Sequence, residues 1–124
     1  KEFFNDIFEP IYETRELIKK LKPNYKIGLI SNLGQMHFES EVKSNEIFNL
    51  FDERSLSFEV GHLKPEKEIF LDILSKLNLN AEECAYIDDR PEHIAAGKEL
   101  GMYAIQYNNY EDLIKELKKL DLKF

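Results

Sequence analysis

Residues 84–106 read CAYIDDRPEHIAAGKELGMYAIQ, and this stretch decides the fold. Cys84–Ile87 is a short apolar run of the kind shown by a strand buried on both faces. Pro91 suits the first position of a helix, where its missing N–H costs nothing. Gly101 suits the residue just past that helix's end, and Met102–Gln106 supplies a second strand. Strand, helix and strand in such close order describe a parallel crossover unit.

The same alternation runs outward from it. Upstream, Ile69, Phe70, Ile73, Leu74 and Leu77 form the buried stripe of a helix opened by Pro65. Glu66 and Glu68 complement its positive N-terminus. Ser55–Phe58 and Lys26–Ile30 are strand candidates, and Ile11–Leu21 is a helix ended by the Pro23-Asn24 turn. Gln35–Phe48 is mostly polar with helical character. Downstream, Leu113, Ile114, Leu117 and Leu120 mark a last helix. Phe3, Phe4, Ile7 and Phe8 recur at helical spacing before Pro10, so the opening segment is expected to be helical and separable from the rest. Strands alternating with helices predict an α/β fold, a mostly parallel sheet flanked by helices.

Composition narrows the function. The chain has 124 residues, 43% of them hydrophobic and 33% charged, as expected for one globular domain with a real core. Its net charge is −7 and no block of Lys or Arg interrupts it, which disfavours nucleic acid and anionic membrane surfaces as partners. No apolar run approaches the roughly 20 residues of a membrane span. Cys84 is the single cysteine, so no internal disulfide forms, and a reducing cytoplasm is the expected location. The chain opens on Lys1 and runs straight into an apolar pattern, as a piece of a longer protein would.

In open parallel sheets, ligands bind at the carboxyl ends of the strands. Ser31-Asn32 follow one strand, Lys64-Pro65 follow another after a loop, and Asp88-Asp89 follow a third. Adjacent carboxylates on a strand-end loop suit Mg²⁺, which prefers oxygen ligands and retains water. Lysine supplies a point charge for phosphoryl oxygens, and a serine hydroxyl donates to them. Taken singly, each element has a plainer reading. The Asp pair could cap a helix, Ser31–Gly34 could be a turn, and Lys64 could be a solvated lysine. His62 and His93 read as ordinary surface or loop histidines, and Cys84 as core. Their convergence on one edge favours a site.

Three stretches carry a family resemblance: KIGLISN at Lys26–Asn32, EVGHLKPEKEIF at Glu59–Phe70 and YIDDRPEHIAAGKELGM at Tyr86–Met102. In this order and spacing the sequence resembles the haloacid dehalogenase-like hydrolases, in particular the sugar-phosphate phosphatase and epoxide-hydrolase-like branch. The resemblance runs from about Glu9 to Tyr107. It implies a Rossmann-like core, a Mg²⁺ cofactor, a small phosphorylated metabolite as substrate and an aspartyl-phosphate intermediate. By position, Ser31 with Asn32 resembles the phosphate-contacting element. Lys64 resembles the lysine that steadies the nucleophile and the transferring group, and Asp89 with Asp88 resembles the metal-binding acids, Asp89 being the stronger candidate for a direct ligand. Many relatives carry Asn or Asp where this chain has His93, so the resemblance assigns His93 no role.

The family's first motif, DxDx(T/V), occurs nowhere in this chain. The resemblance therefore implies that the attacking aspartate and the central strand before it are missing. Residues 1–9 would be the remnant of a helical cap, and residues 10–124 a partial core. The strands at Lys26–Ile30 and Cys84–Ile87 would then have open apolar edges, inviting self-association or a second chain to supply the strand. Three readings follow: part of a phosphohydrolase with its nucleophile elsewhere, a non-catalytic binding module, or a dehalogenase-type hydrolase.

Overall fold

The computed structural model describes residues 2–5, 12–42 and 46–124. Five parallel strands form one sheet: β1 (Glu2–Asn5), β2 (Ile27–Ser31), β3 (Glu53–Leu56), β4 (Cys84–Asp88) and β5 (Tyr103–Gln106), in the order β3-β2-β1-β4-β5. The helices are α1 (Tyr12–Leu21), α2 (Gln35–His37), α3 (Ser57–Val60), α4 (Lys67–Leu77), α5 (Pro91–Glu99) and α6 (Tyr110–Lys119).

Every residue of β2 and β4 is buried, as a central parallel strand requires. Side chains alternate across β4 and define two cores. Ala85 and Ile87 pack with Leu17, Ile18 and Leu21 of α1 and Leu113 and Leu117 of α6. Cys84 and Tyr86 pack on the other face with Ile69, Phe70 and Ile73 of α4 and Ile94 of α5. A third cluster, Leu29, Leu33, Phe38 and Leu56, closes the end near β3. Each large side chain so buried is worth about 1.5–3 kcal/mol.

The opening segment differs from the expected helix. Glu2–Asn5 is a strand seated in the middle of the sheet, with Phe3 opposite Ile27 on one side and Ala85 on the other. The position expected to lack a strand is thus filled by the chain itself. The physical reason is non-local. β2 and β4 would each present an unpaired row of buried N–H and C=O groups, and the short segment satisfies both rows at once. Lys1, Ile7, Phe8, Glu9, Pro10 and Ile11, which carried the rest of the helical reading, lie outside the described residues.

Smaller differences occur on either side of β3. The strand covers Glu53–Leu56 where Ser55–Phe58 was expected, because Gly28 pairs with Glu53 and Ser31 with Leu56, after which the backbone turns into α3. Pro65 does not open α4. It follows Lys64 through a cis peptide, and the helix begins at Lys67. The Gln35–Phe48 segment is broken into α2, a π-helical turn at Phe38–Val42 and a 3₁₀ turn from Glu46 to Leu50, with residues 43–45 outside the described set. Pro91 does open α5, and Gly101 takes a positive φ of 99° just beyond it.

Candidate active site

Two loops carry the site together at the carboxyl edge. Leu33 N–H donates to Ser57 Oγ at 2.7 Å, and Ser57 Oγ donates to the Leu33 carbonyl at 3.0 Å, joining the ends of β2 and β3. Asn32 then grips the Lys64 backbone. Its Oδ1 accepts from Lys64 N–H at 2.7 Å and its Nδ2 donates to the Lys64 carbonyl at 3.2 Å. This clamp delivers the Lys64 side chain into the protein, where it is 1% exposed.

Lys64 Nζ donates to Asp88 Oδ2 at 2.8 Å. Asp88, the last residue of β4, is the centre of a network. Its Oδ2 also accepts from the Tyr86 hydroxyl and from His93 Nδ1 at 3.0 Å, and its Oδ1 accepts from Arg90 N–H at 3.1 Å. Since a carboxylate can only accept, His93 carries a proton on Nδ1. Burial pushes the Asp88 carboxyl up, but the Lys64 charge and the donated hydrogen bonds outweigh it and hold the group well below the usual carboxylate range. Burial and the adjacent Asp88 push the Tyr86 phenol far above its ordinary value, so it remains a donor. The result is a fixed, ionised pair with its acceptor sites filled from within the protein.

Asp89 lies in a different environment. It is exposed, just beyond β4, and among the described residues its carboxylate has no hydrogen-bond partner. The Asp89 charge nevertheless reaches Lys64 and Tyr86. Ser31, buried at the end of β2, likewise has no side-chain partner among the described residues. An oxygen donor facing solvent beside a lysine-bound second carboxylate fits a hydrated Mg²⁺ held by one acid.

Of the residues singled out in the sequence, Lys64 and Asp88 are in direct contact, and Asn32 binds the Lys64 backbone. Ser31 and Asp89 stand at the ends of the flanking strands. Two partners were not foreseen. Tyr86 sits two residues before Asp88, hence on the same face of β4, which the alternation of a strand could have disclosed. His93, read as a surface or loop residue, is buried in the first turn of α5 against Asp88. The only local hint was its place in the helix turn that follows the Asp pair.

Comparison with known proteins adds to this geometry. Residues 1–107 match the haloacid dehalogenase-like hydrolase family. A D-ribitol-5-phosphate phosphatase of Bacteroides thetaiotaomicron is 31% identical over 125 aligned positions, covering 93% of this chain and 57% of that protein. A family enzyme from Bacteroides thetaiotaomicron, solved with magnesium and inorganic phosphate, aligns with a TM-score of 0.72 at 27% identity, covering 88% of this chain and 58% of its own. An uncharacterized protein of Corynebacterium glutamicum shares the fold over 99% of this chain and 96% of its own, with a TM-score of 0.81 at 19% identity. The chain thus spans little more than half the length of the phosphatase it matches. Three motifs in order, a parallel sheet with its polar residues at the carboxyl edge, and a match over most of the sequence agree: this chain belongs to the haloacid dehalogenase-like hydrolase family.

Proposed function

We propose that this chain is part of a Mg²⁺-dependent phosphohydrolase acting on a small phosphomonoester in the cytoplasm. The observation that carries the reading is the buried Lys64–Asp88 pair at the sheet's carboxyl edge, with Ser31 and Asp89 on either side. Ser31 Oγ and Lys64 Nζ bind phosphoryl oxygens, and Asn32 holds Lys64 in place from behind. Asp89 holds the metal, with Asp88 behind it fixing Lys64. When bound, Mg²⁺ neutralises charge on the phosphoryl group. Phosphoryl transfer needs mainly positioning and charge neutralisation, and these residues are suited to both. The attacking aspartate, which would form the aspartyl-phosphate, comes from outside this chain's recognised motifs, since the sequence contains no DxD. That same observation favours a second reading, a binding module that retains phosphate contacts without turnover.

Hydrolysis of p-nitrophenyl phosphate, with Mg²⁺ and with EDTA, tests the proposal on this chain and on any longer product of its reading frame. The longer product is expected to turn over only with Mg²⁺, and Asp89→Asn or Lys64→Met to lower the rate at least about 100-fold. The 124-residue chain is expected to be inactive. A longer product that binds inorganic phosphate yet never turns over would establish the binding module instead. Turnover indifferent to EDTA would refute the metal-dependent reading.

A further inference from the structure

Outside this network, His62, Glu66 and Glu68 bring three metal-ligating groups together where the loop after Gly61 meets the first turn of α4. His62 Nδ1 lies 3.7 Å from Glu66 Oε2 and 3.8 Å from Glu68 Oε2, and all three atoms fall within 4.8 Å of one another. These separations are too long for hydrogen bonds, which end near about 3.2 Å for N–H···O. They are closer to the spacing of neighbouring ligands around one ion. A point equidistant from the three atoms is at most about 2.4 Å from each, a few tenths of an ångström beyond ordinary zinc–nitrogen and zinc–oxygen bonds.

The arrangement is partly preorganised. Glu66 Oε1 accepts from Leu63 N–H at 2.7 Å, which fixes one carboxylate oxygen and leaves the other toward His62. Two carboxylates thus lie near one imidazole nitrogen. One nitrogen and two oxygens suit a borderline ion such as Zn²⁺, whereas Mg²⁺ prefers an all-oxygen shell. The side chains are between 41% and 51% exposed, leaving the remaining coordination positions to water. His62 and Leu63 also line a groove with Asn32, Leu33, Gly34 and Phe58.

We propose that His62, Glu66 and Glu68 form a surface binding site for Zn²⁺ or a similar borderline divalent ion, separate from the carboxylates that follow β4. The inference does not rest on the phosphohydrolase reading. Equilibrium dialysis of the whole chain against Zn²⁺ tests it directly, with 10-fold excess Mg²⁺ as competitor. The wild type is expected to take up one Zn²⁺ that Mg²⁺ does not displace. His62→Ala and Glu68→Gln should each weaken that binding at least about tenfold, while His37→Ala leaves it unchanged. Thermal unfolding without metal confirms that each variant is folded. Should either folded variant bind Zn²⁺ as tightly as the wild type, or should the wild type bind none, the site does not exist. Loss of binding in His37→Ala but not in His62→Ala would also overturn it, by placing the ion elsewhere.

Discussion

Asp88 gathers four donors on two oxygens, among them the Lys64 ammonium, which burial lowers from its ordinary value while the Asp88 charge opposes that shift. The folded pKa of Asp88 is depressed, so the stability it contributes is fully present above the unfolded value near about 4 and is lost as the pH falls through the folded value. Asp72, whose Oδ2 bridges Ser55 and Lys76, acts with the same sign. Urea unfolding between pH 7 and pH 3 should therefore show stability declining below about pH 4. Asp88→Asn should be less stable at pH 7, by about 3–5 kcal/mol, because Lys64 is left buried without its counter-charge. It should also lose less on acidification than the wild type. Equal acid losses in the two proteins would mean the pair is not ionised as described. Residue types and positions made Lys64, Asp88 and Asp89 legible in the sequence. Tyr86 and His93 were not, because nothing local requires a tyrosine or a histidine to face a carboxylate. The clamp from Asn32 was equally hidden, since it depends on two loops meeting.

Helix α5 lies so close to β4 that only glycine fits between them. A Cβ on Gly97 would come within 2.9 Å of the Tyr86 ring, which also meets Phe70 edge-on at 5.2 Å. Gly97→Ala should push the ring and strain its hydrogen bond to Asp88. A loss of about 1–3 kcal/mol is expected in urea unfolding, with a changed near-ultraviolet circular dichroism signal from the tyrosines. An unchanged signal and stability would show that α5 can shift away freely. Continuous apolar runs disclosed β2 and β4, and helical stripes disclosed α4 and α6. β3 was displaced in the reading because Glu53 and Arg54 are charged, as suits an edge strand, and do not advertise themselves as a strand. β1 was missed because two adjacent phenylalanines satisfy helical and extended patterns alike. The choice between them is made by strands more than 20 and more than 80 residues away.

At the scale of the molecule, the sheet is closed in its interior and open only at β3 and β5, strands of four residues each. Short edges with exposed charged or polar residues resist strand addition. The open interior edges that prompted the expectation of self-association are filled by the chain's own first strand. Phe4→Pro tests this placement. Proline cannot donate to the ladder and is not tolerated in a central strand, so a loss of about 3 kcal/mol or more in urea unfolding is expected. A neutral outcome would place Glu2–Asn5 outside the sheet.

A strand of four residues is ordinarily a small part of a sheet, but this one is not. Glu2–Asn5 joins the β3-β2 pair to the β4-β5 pair, and the residues of the site stand on both sides of the join: Ser31 and Lys64 with the first, Asp88 and Asp89 with the second. Loss of this one strand would do more than remove four residues from the sheet. It would separate the cation's half of the site from the anion's half.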